Sequence, residues 1–576
     1  MRRLKESFPD ELVIIGVHSA KFPSEHLTKN IKEAVQRLGI EHPVVNDAGF
    51  NIWNEYNVHA WPTIVLIDPN GKIQGTQAGE ITAEELRPII ARMVEDFKNK
   101  GLLVQTPLEY LGAKKRESEF PLKFPAKVLA AGNDLLYIAD TGHHRVLEIQ
   151  LTSPTSGEPF KGAIRRIFGN GEPNFVDGII DKASFNHPHG LALMHDKLYV
   201  ADTGNHAIRS VDLNYGMVRT VAGTGEKAHG NYTLGEPTKV PLRSPWDLYA
   251  YEKGKVLFIA MAGSHQIWAL IDEQQIGPFA GNGSEALVDG PRQESSFNQP
   301  SGITFGMDHL FIADPEASAI RAISLTEDQR VKTIIGQGLF EFGDRDGVGD
   351  EVRLQHPEGI AYAGELVYIA DSYNNKIKRL DPTTRKVETL IGTGLPGDED
   401  GKFPDAGLYQ PEDLSIQKNL LFIADTNNHL IRIADLDKGR LNTLSLEQIE
   451  KLPLSEKEEP PLNRLEQVVV APGSVEIELD FQLPPMYKLN PDTQVSIEIV
   501  RNGSGDRYSF DSGMPVRLNL GEGVDSPLIF DILFYYCEVF DVRLCQVYEE
   551  RVELPFRRSS EGKRVSKVIY RPLVSE

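Results

Sequence analysis

The stretch Phe185-Asn186-His187-Pro188-His189-Gly190-Leu191, followed by Leu198-Tyr199-Val200-Ala201-Asp202 and Thr203-Gly204-Asn205-His206, decides the fold because it recurs along the chain. It returns as Phe297-Asn298-Gln299-Pro300-Ser301-Gly302-Ile303 with Leu310-Phe311-Ile312-Ala313-Asp314, and as Leu354-Gln355-His356-Pro357-Glu358-Gly359-Ile360 with Val367-Tyr368-Ile369-Ala370-Asp371. Another copy pairs Leu408-Tyr409-Gln410-Pro411-Glu412-Asp413-Leu414 with Leu421-Phe422-Ile423-Ala424-Asp425. Looser copies pair Leu242-Arg243-Ser244-Pro245-Trp246-Asp247 with Leu257-Phe258-Ile259-Ala260-Met261, and Phe124-Pro125 with Leu136-Tyr137-Ile138-Ala139-Asp140. Successive pivots at 140, 202, 261, 314, 371 and 425 lie 62, 59, 53, 57 and 54 residues apart. Each unit holds short β-rich runs broken by Gly, Asn and Asp, with no helical period. Such a repeat predicts propeller blades, because one four-stranded blade cannot bury both faces alone whereas six in a ring cover one another. The predicted fold class is mainly β, with a six-bladed β-propeller over 118–443.

The carboxylates that close the apolar strands, Asp140, Asp202, Asp314, Asp371 and Asp425, precede Gly or Asn turns and are placed to accept from turn amides. They read as structural blade residues, with catalytic carboxylates as the alternative. Met261 departs from the pattern, so the third blade is expected to turn differently. His144, His206, His265 and His429 share one repeat position with Ser318 and Asn375. The Ser and Asn substitutes favour a turn-stabilising hydrogen-bonder there. These units resemble NHL repeats over roughly 120–440. A channel zinc, as in NHL-like amidating lyases, makes the four histidines weak metal candidates by resemblance.

Ahead of the repeats, the apolar run Leu12-Val13-Ile14-Ile15-Gly16-Val17 suits a strand covered on both faces. His26 to Leu38 has a helical period, Pro43 to Asp47 reads as a strand, and Ile52 to Tyr56 as a short helix. Trp61-Pro62-Thr63 introduces a hairpin from Ile64 to Ile73, and a helix from Ala83 to about Lys98 closes the unit. This order over 1–105 resembles the distal part of a thioredoxin-like domain. The resemblance makes Pro62, beside Trp61, the candidate cis proline that packs against a redox dithiol; a trans proline at a strand entrance is the alternative. The family's preceding strand and Cys-x-x-C helix start have no counterpart here, and Met1 to Phe8 looks like the tail of that helix. Any dithiol is therefore expected upstream of Met1, with a docking relic as the other reading.

Residues 444–465, rich in Glu, Lys and Pro, read as a linker. Beyond it, Ser474 to Phe481 alternates polar and apolar, and Val495 to Ile499, Val516 to Leu520 and Leu528 to Tyr536 follow as strands, so 466–576 is predicted as a β-sandwich. Cys537 and Cys545 sit across an expected hairpin and are a candidate disulfide; two unlinked thiols are the alternative. The paired-Cys hairpin weakly resembles that of the immunoglobulin-like domain in bacterial thiol–disulfide interchange proteins.

Across 576 residues, Lys plus Arg is 61 against Asp plus Glu at 83, and 61 − 83 = −22. That balance argues against nucleic-acid binding and attachment to anionic lipid. No apolar run approaches the ~20 residues of a membrane-spanning helix. With no h-region after the charged start, a cytoplasmic location is expected for the sequence as it stands, a leader upstream of Met1 being the alternative that leaves the compartment open. Two cysteines exclude a disulfide-built scaffold.

Taken together, a truncated thioredoxin-like domain, six NHL blades and a β-sandwich resemble the NHL-repeat-containing protein 2 family, including the plant lumenal suppressor-of-quenching proteins. His18-Ser19-Ala20-Lys21-Phe22, Ala139 to Arg145, Ala260 to Trp268 and Tyr535-Tyr536-Cys537 carry the resemblance most specifically. It implies a redox-linked protein whose propeller is a protein-recognition platform. A non-catalytic interaction scaffold is the alternative, and a propeller enzyme with a channel metal a third. No cofactor is expected. The expected partner is a protein of basic or neutral character, engaged through loops such as Glu226 to Pro241 and Phe340 to Val352.

Overall fold

The computed structural model describes residues 1–79, 81–103, 120–152, 160–230, 234–449, 452, 462–483, 487–489, 494–499, 507–511, 516–520, 526–538 and 545–572. Six antiparallel sheets succeed one another along the repeats. The innermost strands are Pro125–Ala130, Pro188–Met194, Pro245–Tyr251, Gly302–Gly306, Pro357–Ala363 and Pro411–Gln417. Each packs against the innermost strand of the next blade, and that of the sixth against that of the first, so the ring is closed.

The apolar second strands, such as Leu198 to Ala201, are fully or almost fully buried. The core is divided among the blade junctions: Ile208 of blade two shares a cluster with Ile259 and Met261 of blade three, and Phe422 of blade six with Leu136 and Ile138 of blade one. Each junction buries several side chains that contribute about 1.5–3 kcal/mol apiece.

In blades two, four, five and six a short fifth strand pairs with the outermost one; among the described residues blade three has four strands, with Gly235 alone bridging the outermost one at Ile276. In blade one the fifth position is filled from the other end of the repeat region. Ser445–Glu447 pairs in parallel with Lys161 to Ala163, and Leu444 and Leu452 join the core between blades one and six. The start of the segment read as a linker therefore belongs to the propeller. Leu462–Arg464, at its far end, pairs with Arg551 to Glu553 of the C-terminal unit. Both strands are short and flanked by charge, which hides them in a Glu-, Lys- and Pro-rich sequence.

The N-terminal unit contains helix Arg2–Ser7, strand Gly16–His18, helix Thr28–Arg37, strand Val44–Asn46, helix Asn51–Glu55, the hairpin Thr63–Ile67 and Ile73–Ala78, and helix Ala83–Asn99. Thr82 and Glu85 form a reciprocal cap on that last helix. The expected Leu12–Val17 strand is shortened to Gly16–His18, which pairs in parallel with Val44–Asn46 on one side only. The hairpin forms a separate two-stranded sheet. With no strand seated between the two pairs, Val13, Ile15 and Val17 are 50%, 59% and 44% exposed. An apolar run reads as doubly covered only when the cover is present.

The C-terminal unit packs two main sheets around one core that includes Ile477, Leu518, Phe530, Ile532, Val552 and Tyr570. Strands Leu528–Glu538 and Cys545–Leu554 form its longest antiparallel pair, with Cys537 directly opposite Cys545 in register. The side chains of both cysteines lie outside the described residues.

Candidate functional site

Each innermost strand begins at one end of the propeller, and the residues after its first proline line the axis. One position holds Gly190, Gly302 and Gly359 in blades two, four and five, where a Cβ would stand 2.5, 2.4 and 2.5 Å from backbone atoms of the next blade. The same position carries Lys127, Asp247 and Asp413 in blades one, three and six. Lys127 Nζ lies 3.3 Å from Asp247 Oδ2 and 3.2 Å from Asp413 Oδ1, and it donates to the Ser301 carbonyl at 3.4 Å. The two carboxylates in turn accept the amides of the following blades, Ile303 on Asp247 and Val128 on Asp413. Burial pushes Asp413 up to about 7 even beside Lys127. The axis is thus closed by an ion cluster spanning the ring.

The predicted histidines lie at the blade junctions. His144, His206, His265, Ser318, Asn375 and His429 all adopt left-handed backbone conformations at the turn after the second strand. Four amides of the next blade donate to histidine Nδ1: His187 to His144, Ser244 to His206, Gln299 to His265 and Phe124 to His429. His356 N–H donates to Ser318 Oγ and Gln410 N–H to Asn375 Oδ1 in the remaining junctions. This is one inter-blade staple made by three residue types, and it explains why Ser and Asn alternate with His. Among the described residues no group of three or more His, Cys, Asp and Glu side chains is arranged to hold a metal ion.

The blade aspartates are fully buried, and their main partners lie beyond the turn they precede. Each accepts the amide that opens its own blade, Lys123 on Asp140, Asn186 on Asp202, Asn298 on Asp314, Gln355 on Asp371 and Tyr409 on Asp425. Each also pairs with a cation on the third strand: Arg145, Arg209, Arg321, Lys378 and Arg432. The last four reach a second carboxylate, Asp177, Asp289, Asp346 and Asp400, which ties down the outer strand through Thr220, Thr333, Thr389 and Thr443. That second carboxylate escaped the sequence reading, although an Asp-Gly pair 25 residues before each pivot would have marked it. Blade three lacks the network: Met261 and Trp268 fill the Asp and Arg positions as buried apolar neighbours.

The N-terminal unit docks on the end where the innermost strands begin. Between strand Gly16–His18 and the following helix, Lys21 Nζ pairs with Glu316 Oε2 at 2.7 Å. Phe22, 1% exposed, inserts among Phe342, His356 and Tyr373 with ring centroids 4.8, 5.3 and 5.4 Å away. Tyr409 Oη donates to Asn30 Oδ1, and Arg37 Nη1 donates to Glu412 Oε1 at 2.5 Å and to Asn427 Oδ1 at 3.3 Å. His356 is held between Glu316 and Glu358; burial opposes its charge, yet the two carboxylates prevail and push it up to about 10. The Trp61–Pro62 bond is cis, Trp61 is half exposed, and its indole N–H donates to the Ser19 carbonyl just before the docking segment.

The NHL repeat model matches residues 185–209. The chain is 36% identical over 551 residues to the human NHL repeat-containing protein 2, covering 90% of this chain and 72% of that protein. The chain belongs to the NHL repeat-containing protein 2 family. It is also 41% identical over 454 residues to the chloroplastic SUPPRESSOR OF QUENCHING 1 of Arabidopsis thaliana, covering 76% of this chain but only 42% of that protein. A shorter likeness, 34% over 58 residues, joins it to the thiol-disulfide oxidoreductase ResA of Geobacillus thermodenitrificans, covering 10% of this chain and 33% of that protein. In this member of the NHL repeat-containing protein 2 family, the described residues contain no helix long and apolar enough to cross a membrane.

Proposed function

We propose that this NHL repeat-containing protein 2 family member is redox-linked: a thioredoxin-like unit is carried on a propeller that acts as a protein-recognition platform, and the exchanging dithiol is supplied from upstream of Met1. The observation that carries the reading is that strands Gly16–His18 and Thr63–Ile67 belong to two separate two-stranded sheets, with the apolar Val13, Ile15 and Val17 exposed, while the same unit carries a half-exposed Trp61 and a cis Pro62. A further strand laid over those apolar residues would cover about 25 cal/mol of apolar stabilisation per Å². The likeness to ResA, a thiol-disulfide oxidoreductase by name, supports the same chemistry. The net charge of −22 favours a protein partner over nucleic acid.

The test joins the in-frame codons upstream of Met1 to the chain and measures insulin reduction. A Cys-x-x-C within about one helix length, ~15 residues, together with turnover abolished by its Cys→Ser variants, is the expected result. An in-frame stop codon in that interval, or an inert extended protein, overturns the redox reading. A second reading, a non-catalytic scaffold, is favoured by one observation: the only cysteines of this chain, 537 and 545, belong to the C-terminal unit.

A further inference from the structure

The loop Phe340 to Val352, expected to meet a separate partner, instead meets the protein's own N-terminal unit: Phe342 packs on Phe22 and the Phe340 ring lies under Lys21 Nζ. The carboxylates at this mouth are Glu316, Glu358 and Glu412, with Asp247 and Asp413 just below on the axis. The propeller's own cations among them are Lys127 and His356, so five carboxylates face two cations until Lys21 and Arg37 arrive. Phe22 fills a ring-lined socket beside them, walled by Phe342, His356 and Tyr373. Glu25, one turn on, accepts the Lys21 and Phe22 amides and so fixes the segment in its inserted shape. A mouth with more carboxylates than cations and a ring-lined socket is built for a ligand that brings positive charge and an aromatic ring.

We propose that the inner-strand end of the propeller is a receptor for a cationic–aromatic polypeptide segment, and that its resident ligand is the chain's own Lys21–Phe22 and Arg37. This end then stays closed to other proteins while the N-terminal unit is docked, and a second protein that uses it must present the same chemistry. The proposal rests on the platform reading only for that second protein, and it is independent of any dithiol.

Backbone amide exchange on the full chain tests it. In Phe22→Ala/Arg37→Glu, exchange over 340–358 and 409–413 should rise about tenfold or more while Leu135–Asp140 keeps its protection. The charge swap Arg37→Glu/Glu412→Arg should restore protection, with Lys21→Glu/Glu316→Lys as an independent swap. A labelled peptide of residues 19–38 should bind the Phe22→Ala/Arg37→Glu chain but not the unsubstituted one. The same peptide with Arg37→Glu should bind about tenfold more weakly, as loss of a buried ion pair requires. Unchanged exchange at the mouth overturns self-occupancy. Peptide binding that is absent from the opened chain, or indifferent to Arg37→Glu, overturns the receptor chemistry. Neither result bears on insulin reduction, so the redox reading fails or survives separately.

Discussion

The amide of Phe124 donates to Nδ1 of His429 at 3.0 Å, so a residue of the last blade accepts from the segment that opens the first, 305 positions away in sequence. An equivalent bond, to Nδ1 of a histidine, Oγ of Ser318 or Oδ1 of Asn375, joins every other pair of neighbours in the ring, which makes it a closing device and not a local ornament. Nδ1 can accept only while the imidazole is neutral. Burial, the largest influence in each case, lowers His144 to about 3 and His206 and His429 to about 4.

A pH dependence follows from that lowering. In the unfolded chain these histidines take up a proton near 6.5. Between ~6.5 and ~4 the unfolded state therefore binds more protons, and stability falls as pH falls through that window. Asp202, Asp371 and Asp425, pushed up by burial to about 6, act in the opposite sense between about 4 and 6. Subtraction isolates the histidines. His144→Asn/His206→Asn/His429→Asn keeps an acceptor, as Asn375 does in blade five, and should flatten the decline of Tm below pH 6.5. Parallel profiles for the variant and the unsubstituted protein would contradict the staple.

Lys127 neutralises two carboxylates that otherwise face one another inside the ring. Lys127→Met should destabilise the propeller by ~3–5 kcal/mol, the usual effect of breaking a buried pair from one side. Lys127→Met/Asp247→Asn/Asp413→Asn should recover much of that loss, because the neutral amides retain their amide-accepting oxygens. Urea unfolding followed by tryptophan fluorescence reads both values. A triple variant weaker than Lys127→Met would show that the charges matter for another reason.

The uneven legibility of the molecule has a physical cause. Blade number was readable because each blade solves the same packing problem. Ser318 and Asn375 showed that the histidine position hydrogen-bonds, but it was read as stabilising its own turn and not as joining neighbouring blades. The axis cluster was not readable. Lys127 and Asp413 are 286 residues apart, and their position is glycine in three blades, so no repeat pattern announces them. The docking of Phe22 was hidden for a similar reason: its socket is assembled from the loop residue Phe342, the blade opener His356 and the turn residue Tyr373. The aspartates were read with the correct structural purpose but with too local a set of partners.

Register places Cys537 opposite Cys545 in the C-terminal hairpin. We propose a facultative cross-strand disulfide there, with seven residues between the thiols and a contribution at the low end of ~2–4 kcal/mol. Thiol counting on protein purified without reductant should find none free after mild oxidation, and reduction should leave the sandwich folded. Two titratable thiols after oxidation, with Cys537→Ser as the control, would remove the bridge.

Blade three supplies a natural control for the buried ion pairs. Where blade two has Asp202 and Arg209 at 2.7 Å, blade three has Met261 and Trp268, both almost wholly buried. Removing one partner of a buried pair strands the other charge and costs about 3–5 kcal/mol, whereas replacing both with apolar groups of similar volume is often neutral. Asp202→Met and Arg209→Trp should each destabilise blade two by that amount. The double variant should be more stable than either single one, a coupling of ~0.5–3 kcal/mol in a double-mutant cycle. Full compensation is not expected, because Arg209 also holds Asp177 and the Val176 and Ser184 carbonyls, and the Asn186 amide loses its acceptor. Chemical denaturation of the four proteins measures the cycle. Additive losses would mean that Met261 and Trp268 depend on other features of blade three, such as the single Gly235 bridge on its outermost strand, and that the pair cannot be moved between blades.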